Sequence, residues 1–395
     1  MHVRMSKGKP TEQHLKRSIA LTGALVFLFF SVSSAEAAGA PPVAGATQSF
    51  VYTMANPTGP NSILAFQRDP QTGGLSFVAS YATGGTGLKQ VVGTTQSSIV
   101  TNGAFLYAVN AGSNDISAFA ISTDGSLHLL GSPVRSGGTS PGTLTLHGQL
   151  LYVGNEGTTQ EPANYSGFTV GADGSLAPLE GSTVTLNVGD GITNVLFDDS
   201  GSHFVGVRLG GTAIDTFTVS SGGKLVSRST LGPLPGPFGA IFNPVNKSEL
   251  IATLAHLHGA GTFFLSGDNT LALVATAVDA PSKDPCWTAV TPDGSFLWTS
   301  NFQPSSLSLF SISAAGQIEF LSEHETATFG NTSSDIAMDA SNRFIYQLLP
   351  FPTSDVHIHV MAITGNTSDG GLSDVATVSI PGEAFPMGLV IVDTH

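Results

Sequence analysis

Phe105-Leu106-Tyr107-Ala108-Val109-Asn110, then Ile116-Ser117-Ala118-Phe119, then Asp124-Gly125-Ser126-Leu127 is the stretch whose pattern decides the fold. An aromatic and β-branched strand ends in Asn. A polar turn leads to a second strand ending in Phe. Asp-Gly then supplies the positive φ of a tight hairpin, and Leu opens a third strand. The phrase recurs along the chain. Its Phe-ending strand is met again as Ile63-Leu64-Ala65-Phe66, Tyr165-Ser166-Gly167-Phe168, Ile214-Asp215-Thr216-Phe217, Gly261-Thr262-Phe263-Phe264 and Leu307-Ser308-Leu309-Phe310, with Ile358-His359-Val360-Met361 as a last variant. Successive copies start 53, 49, 49, 47, 46 and 51 residues apart. A short apolar strand such as Pro141-Gly142-Thr143-Leu144-Thr145-Leu146 precedes the phrase, so each copy holds four strands, named A to D in chain order. Four strands in each of seven copies predict an all-β fold, a seven-bladed β-propeller.

The two ends of the repeat predict how the ring closes. The first copy starts with a B strand, Phe50-Val51-Tyr52-Thr53-Met54, and lacks an A strand. The chain finishes with Phe385-Pro386-Met387-Gly388-Leu389-Val390-Ile391, an A strand with no blade after it. The C-terminal strand is therefore expected to complete blade 1 and remove the open edges. Residues 47–395 form one propeller in this reading, with no linker.

The rest of the composition is consistent with a soluble globular chain and excludes several alternatives. Of the 395 residues only 11% are charged, 41% are apolar and 47 are Gly, which fits neither a disordered chain nor a coiled coil. The formal net charge is −14, so nucleic acid and anionic membrane surfaces are not expected partners. Arg4, Lys7, Lys9, Lys16 and Arg17 precede an apolar run from Ile19 to Val32, and Ala35-Glu36-Ala37 follows. This is the pattern of a secretory signal peptide over residues 1–37, too short to span a bilayer, with a flexible leader over 38–46. A secreted or periplasmic monomer is expected, free of the membrane after cleavage and with 9 basic and 26 acidic residues left. Cys286 is the one cysteine, so no internal disulfide forms; between Pro285 and Trp287 it reads as a buried filler.

The repeat resembles the lactonase-type seven-bladed propellers, which include the propeller form of 6-phosphogluconolactonase and the carboxy-cis,cis-muconate cyclases. Phe105 through Leu127, Leu151-Tyr152-Val153-Gly154-Asn155 and Thr291-Pro292-Asp293-Gly294-Ser295-Phe296-Leu297 carry the resemblance. It implies a metal-independent enzyme, without cofactor, acting on lactone rings. The family's usual His, Arg and Glu are not matched. Gly189-Asp190-Gly191-Ile192-Thr193-Asn194 holds no histidine, and Arg208 stands where the family has an acid. Gly236-Pro237-Phe238-Gly239 and Leu254-Ala255-His256 replace the next two family motifs.

The D-to-A and B-to-C loops are expected to crowd one mouth of the channel, where the candidate residues gather. Arg208 offers a donor fork for a carboxylate or lactone carbonyl, or an ion pair with Asp190 or Asp215. His256 and His258, two apart in extended chain, would face the same way, with His256 as general base. His357 and His359 share that spacing on a C strand and read as an outward polar face. Lactone opening needs a base and oxyanion donors. His256 or Glu156 fits the first role and Arg208 the second. Asp190, His258, Asn155, Asn301, Trp287 and Asp335 complete the expected binding set, and no metal site is expected. Gly138-Thr139-Ser140-Pro141-Gly142 matches G-x-S-x-G, but the following Pro and strand make it a plain turn. Two functions stay open: a lactonase-like or cyclase-like enzyme on a small anionic substrate, and a non-catalytic propeller that binds a ligand or protein.

Overall fold

The computed structural model describes residues 47–89, 95–279, 284–302, 305–326, 332–350, 356–364, 371–382 and 385–394. The expected signal peptide and leader lie outside them. The described strands form seven antiparallel sheets, each running from an inner A strand to an outer D strand; those of blades 2 and 3 carry a short extra strand. The inner strands of blades 2 to 7 are Ile99–Thr101, Pro141–His147, Ile192–Phe197, Pro237–Phe242, Pro285–Val290 and Asp335–Met338. In blade 1 the inner strand is Met387–Thr394, paired antiparallel to Gln48–Met54 with Ser49 opposite Asp393 and Val51 opposite Ile391. The ring closes through its C-terminal strand, as the repeat phase predicts.

Aromatic residues of the repeat join blade to blade. The strand-B tyrosines reach into the next blade and donate to the C–D turn: Tyr52 to Gly125 O at 2.8 Å, Tyr107 to Gly174 O at 3.0 Å and Tyr152 to Gly223 O at 2.9 Å. Tyr346 does the same to Gly73 O across the closing seam, at 3.0 Å. The receiving turn needs glycine twice over. Gly125 has φ +76°, and a Cβ there would fall on the Phe50 ring. The seam also holds a buried ion pair, Arg68 Nη2 to Asp339 Oδ2 at 2.6 Å, with Arg68 Nε donating to Tyr346 Oη at 2.8 Å.

Both faces of strands B and C are covered by neighbouring blades, so the core runs around the ring in wedges. This overturns the outward face expected for His357 and His359: they are 1% and 5% exposed. Alternation places a residue outside only where one sheet face meets water, and a central blade strand has no such face. Cys286 is buried, as expected. No helix among the described residues is long and apolar enough to cross a membrane.

Candidate functional site

The mouth is built from the ends of strands B and the starts of strands A. Its central feature is a short polar segment, Thr95 to Ser98, that reaches across the channel from blade 2. Thr95 Oγ1 donates to Gly142 O of blade 3 at 2.5 Å, and Trp287 Nε1 of blade 6 donates to Thr95 O at 3.3 Å. Gln96 N donates to Thr193 O of blade 4 at 2.9 Å. The Gln96 amide meets blade 6 in both senses: Nε2 donates to Thr288 O at 3.2 Å, and Oε1 accepts from Thr288 N at 3.2 Å and Oγ1 at 3.1 Å. Leu144 N closes on Ser97 O at 2.8 Å. Gly239 is required at this crossing, because a Cβ there would fall on the Cys286 carbonyl and the Gln96 amide. The segment thus divides the channel into an upper recess and a lower chamber.

Glu156 lies in the upper recess. It follows the B strand Leu150–Asn155, and its N–H donates to Ser140 O at 2.9 Å. Its side chain sits over Gly142 among Met54, Leu88, Val109 and Met387. Burial in this apolar surround pushes its carboxyl well above the usual carboxylate range. Asn155 beside it is buried, donating to Asn164 Oδ1 at 2.9 Å and to Ser136 O at 3.2 Å. Lys89, next to Leu88, is the described basic residue nearest this recess in sequence; Lys283 lies outside the described residues.

Arg208 makes both of the ion pairs open to it in sequence. Its Nη1 is 3.0 Å from Asp190 Oδ2, and its Nε is 2.9 Å from Asp215 Oδ2. Asp215 is fully buried and also receives Arg228 Nη2 at 2.9 Å, Thr230 Oγ1 at 2.7 Å and Tyr165 Oη at 3.1 Å. Asp190 is further held by Asn187 N at 2.9 Å. His256 is exposed, within a one-turn 3-10 helix, Ala255–Leu257, that ends in His258 at φ 55°. The extended geometry expected for the two histidines is therefore absent. Pro235 O and Gly236 O take the His256 and Ala255 N–H groups and curl the chain into a turn. His258 Nδ1 is 3.5 Å from Asp284 Oδ1. Among the described residues no hydrogen bond or ion pair joins Arg208, His256 and Glu156.

The remaining candidates have structural partners. Trp287 is fully buried, edge-on to Phe238 at 5.4 Å. Asn301 donates to Ser306 Oγ at 2.7 Å and Ser308 Oγ at 2.8 Å, which closes its own B–C turn. Asp335 starts the inner strand of blade 7 and lines the lower chamber rather than the recess of Glu156. Burial pushes its carboxyl up to about 8, against the opposing N–H groups of Ile336 and Leu389. Ser140 has φ +55° but leads into the strand Pro141–His147, as a plain turn should. Among the described residues no group of three or more His, Cys, Asp or Glu is placed to hold a metal ion. Sequence reasoning missed Thr95 and Gln96. Only the folded chain shows that the A strand after this polar run is cut to three residues, Ile99–Thr101.

Comparison with known proteins agrees with this architecture. Residues 46–182 match the family described as Lactonase, 7-bladed beta-propeller. No curated protein matches the chain. The periplasmic gluconolactonase of Pseudomonas aeruginosa superposes with a TM-score of 0.71 at 18% identity, covering 89% of this chain and 100% of that one. A putative 6-phosphogluconolactonase from Bacteroides fragilis gives 0.70 at 18% identity, covering 90% and 100%. A hypothetical selenium-binding protein from Sulfolobus tokodaii gives 0.61 at 10%, covering 88% and 94%. Likenesses this distant establish the fold, which different functions share. The family resemblance read from the repeat is borne out over the matched residues.

Proposed function

We propose that this propeller is an exported lactonase-like enzyme that opens, or in reverse closes, the lactone ring of a small anionic substrate at the channel mouth. One observation carries the reading. The carboxyl group best suited to acid–base work, Glu156, sits at the channel mouth within the stretch that matches the lactonase family. As base, its carboxylate takes a proton from water, and the hydroxide formed attacks the lactone carbonyl. The ring C–O bond breaks, and the same group returns the proton to the leaving alkoxide. A carboxyl whose proton affinity is raised by burial is, in its ionised form, the stronger base. Arg208 and His256 are the proposed oxyanion partner and alternative base.

A second reading, a non-catalytic binding propeller, is favoured by the full engagement of Arg208 with Asp190 and Asp215. Proton release on sugar-derived and aromatic-acid-derived lactones decides between them. Glu156→Gln is expected to lose about a hundredfold or more in turnover, the scale of a general base. Arg208→Ala and His256→Ala test the other two roles. Turnover that survives Glu156→Gln moves the site, and a wild type inert on every lactone and on a cyclisation substrate favours the binding reading. Export is tested by N-terminal sequencing of the chain recovered outside the cytoplasm, which is expected to begin at Ala38.

A further inference from the structure

Beneath Thr95–Ser98 the channel widens into a cavity of about 610 Å³. This lies within the roughly 300–1,000 Å³ of small-molecule pockets. Inner strands of six blades form its wall, and Val100, Leu146, Leu196, Ile241, Phe242 and Val390 remain half-buried there. Large apolar side chains left partly wet inside a concavity form a surface that a ligand can cover. Its outer rim carries Lys247 and Asp199, 3.4 Å apart, which offset each other's charge. At the inner end the amides of Gln96 and Asn194 are already spent: Gln96 on Thr288, and Asn194 on Gln96 O and Ala240 N. The Asp335 carboxyl differs. Its partners among the described residues are the backbone donors Ile336 and Leu389, so its neutral form has an O–H left to give.

We propose that the lower chamber is a second ligand site, distinct from the upper recess, for a small uncharged amphiphile whose apolar body fills the chamber and whose carbonyl or hydroxyl oxygen accepts a hydrogen bond from Asp335. The bridge at Thr95–Ser98 separates the two sites, so this proposal does not depend on lactone chemistry above it. A charged head seated among half-buried Val100, Leu146, Leu196, Ile241, Phe242 and Val390 would lose its water there, which disfavours charge on the ligand.

Titration calorimetry of the mature chain with 2-decanone, decan-1-ol, decanoate and decylamine tests the assignment. 2-Decanone is expected to bind saturably, one per chain. Leu196→Trp and Ile241→Trp, which fill the chamber, should each weaken it by about tenfold or more. Glu156→Gln in the upper recess should leave it unchanged. No saturable binding of the uncharged probes overturns the proposal, and so does binding indifferent to both Trp substitutions. Tighter binding of decylamine or decanoate than of 2-decanone overturns the charge assignment. Should the Trp variants fail to fold, hydrogen exchange of the wild type gives the answer. 2-Decanone should slow exchange in the inner strands of blades 3 to 5, and protection confined elsewhere refutes the site.

Discussion

Asp335→Asn isolates the cost of one buried acid. The carboxyl ionises at about 8 in the folded protein against an ordinary 3.8. Between those values the folded chain binds one more proton than the unfolded chain. The slope of unfolding free energy with pH is then negative, so stability falls as pH rises from the unfolded to the folded value. Each unit is worth about 1.4 kcal/mol, and a window of a little over four units amounts to on the order of 6 kcal/mol. Asparagine keeps the shape, accepts from the same N–H groups and has no proton to lose, so the variant lacks this slope. Urea unfolding of both proteins at pH 5 and pH 7.5 is the assay. Every other titrating group cancels in the difference between variant and wild type. The variant should gain about 3 kcal/mol relative to wild type between the two conditions, with its advantage larger at the higher pH. Parallel pH profiles would refute the argument, because they require Asp335 to ionise alike in both states.

Four further outcomes are expected. Arg208→Ala strips a partner from fully buried Asp215 and should destabilise by about 3 kcal/mol in urea titrations, with Arg208→Lys a poor rescue because a single ammonium does not bridge two carboxylates. The Cys286 thiol, pushed well above its ordinary range by burial, should resist a disulfide reagent in the native protein and react on unfolding; fast native labelling would contradict its placement. The outer strand of blade 5, Leu271–Val278, is a charge-free edge with Leu273, Val274 and Val278 exposed, so Leu273→Lys should lower light scattering of concentrated samples. Truncation before Met387 removes the inner strand of blade 1 and should abolish the cooperative unfolding transition seen by circular dichroism.

Local repetition made the ring legible. A period near fifty, Phe-ending strands and Asp-Gly turns are short-range signals, and blade count and closure follow from their number and phase. The contacts at the channel centre are different in kind. Gln96 meets Thr288, a residue 192 positions away, and nothing in Thr95-Gln96-Ser97-Ser98 distinguishes a bridge from a loop. Arg208 was legible as a choice between ligand binding and ion pairing, and only the folded positions of Asp190 and Asp215 showed both pairs made. The curl at His256 depends on carbonyls of Pro235 and Gly236, supplied by the lead-in to the inner strand of its own blade. The burial of His357 and His359 depends on a neighbouring blade. Residue type and spacing carry no record of either.

The pairing of Gln48–Met54 with Met387–Thr394 also sets an order of events. Blades 2 to 7 can each be assembled from contiguous chain as it is made, but blade 1 waits for the last strand. Closing a loop this long adds little equilibrium cost, since each doubling of length adds only about 0.6 kcal/mol. Its weight falls on rate, because contacts between residues so far apart in sequence are slow to form. A chain broken off early keeps a bare strand edge at Gln48–Met54, open to capture by another molecule's final strand. Closure therefore hangs on Met387–Thr394, and a chain that lacks this strand leaves Gln48–Met54 exposed to aggregation or proteolysis.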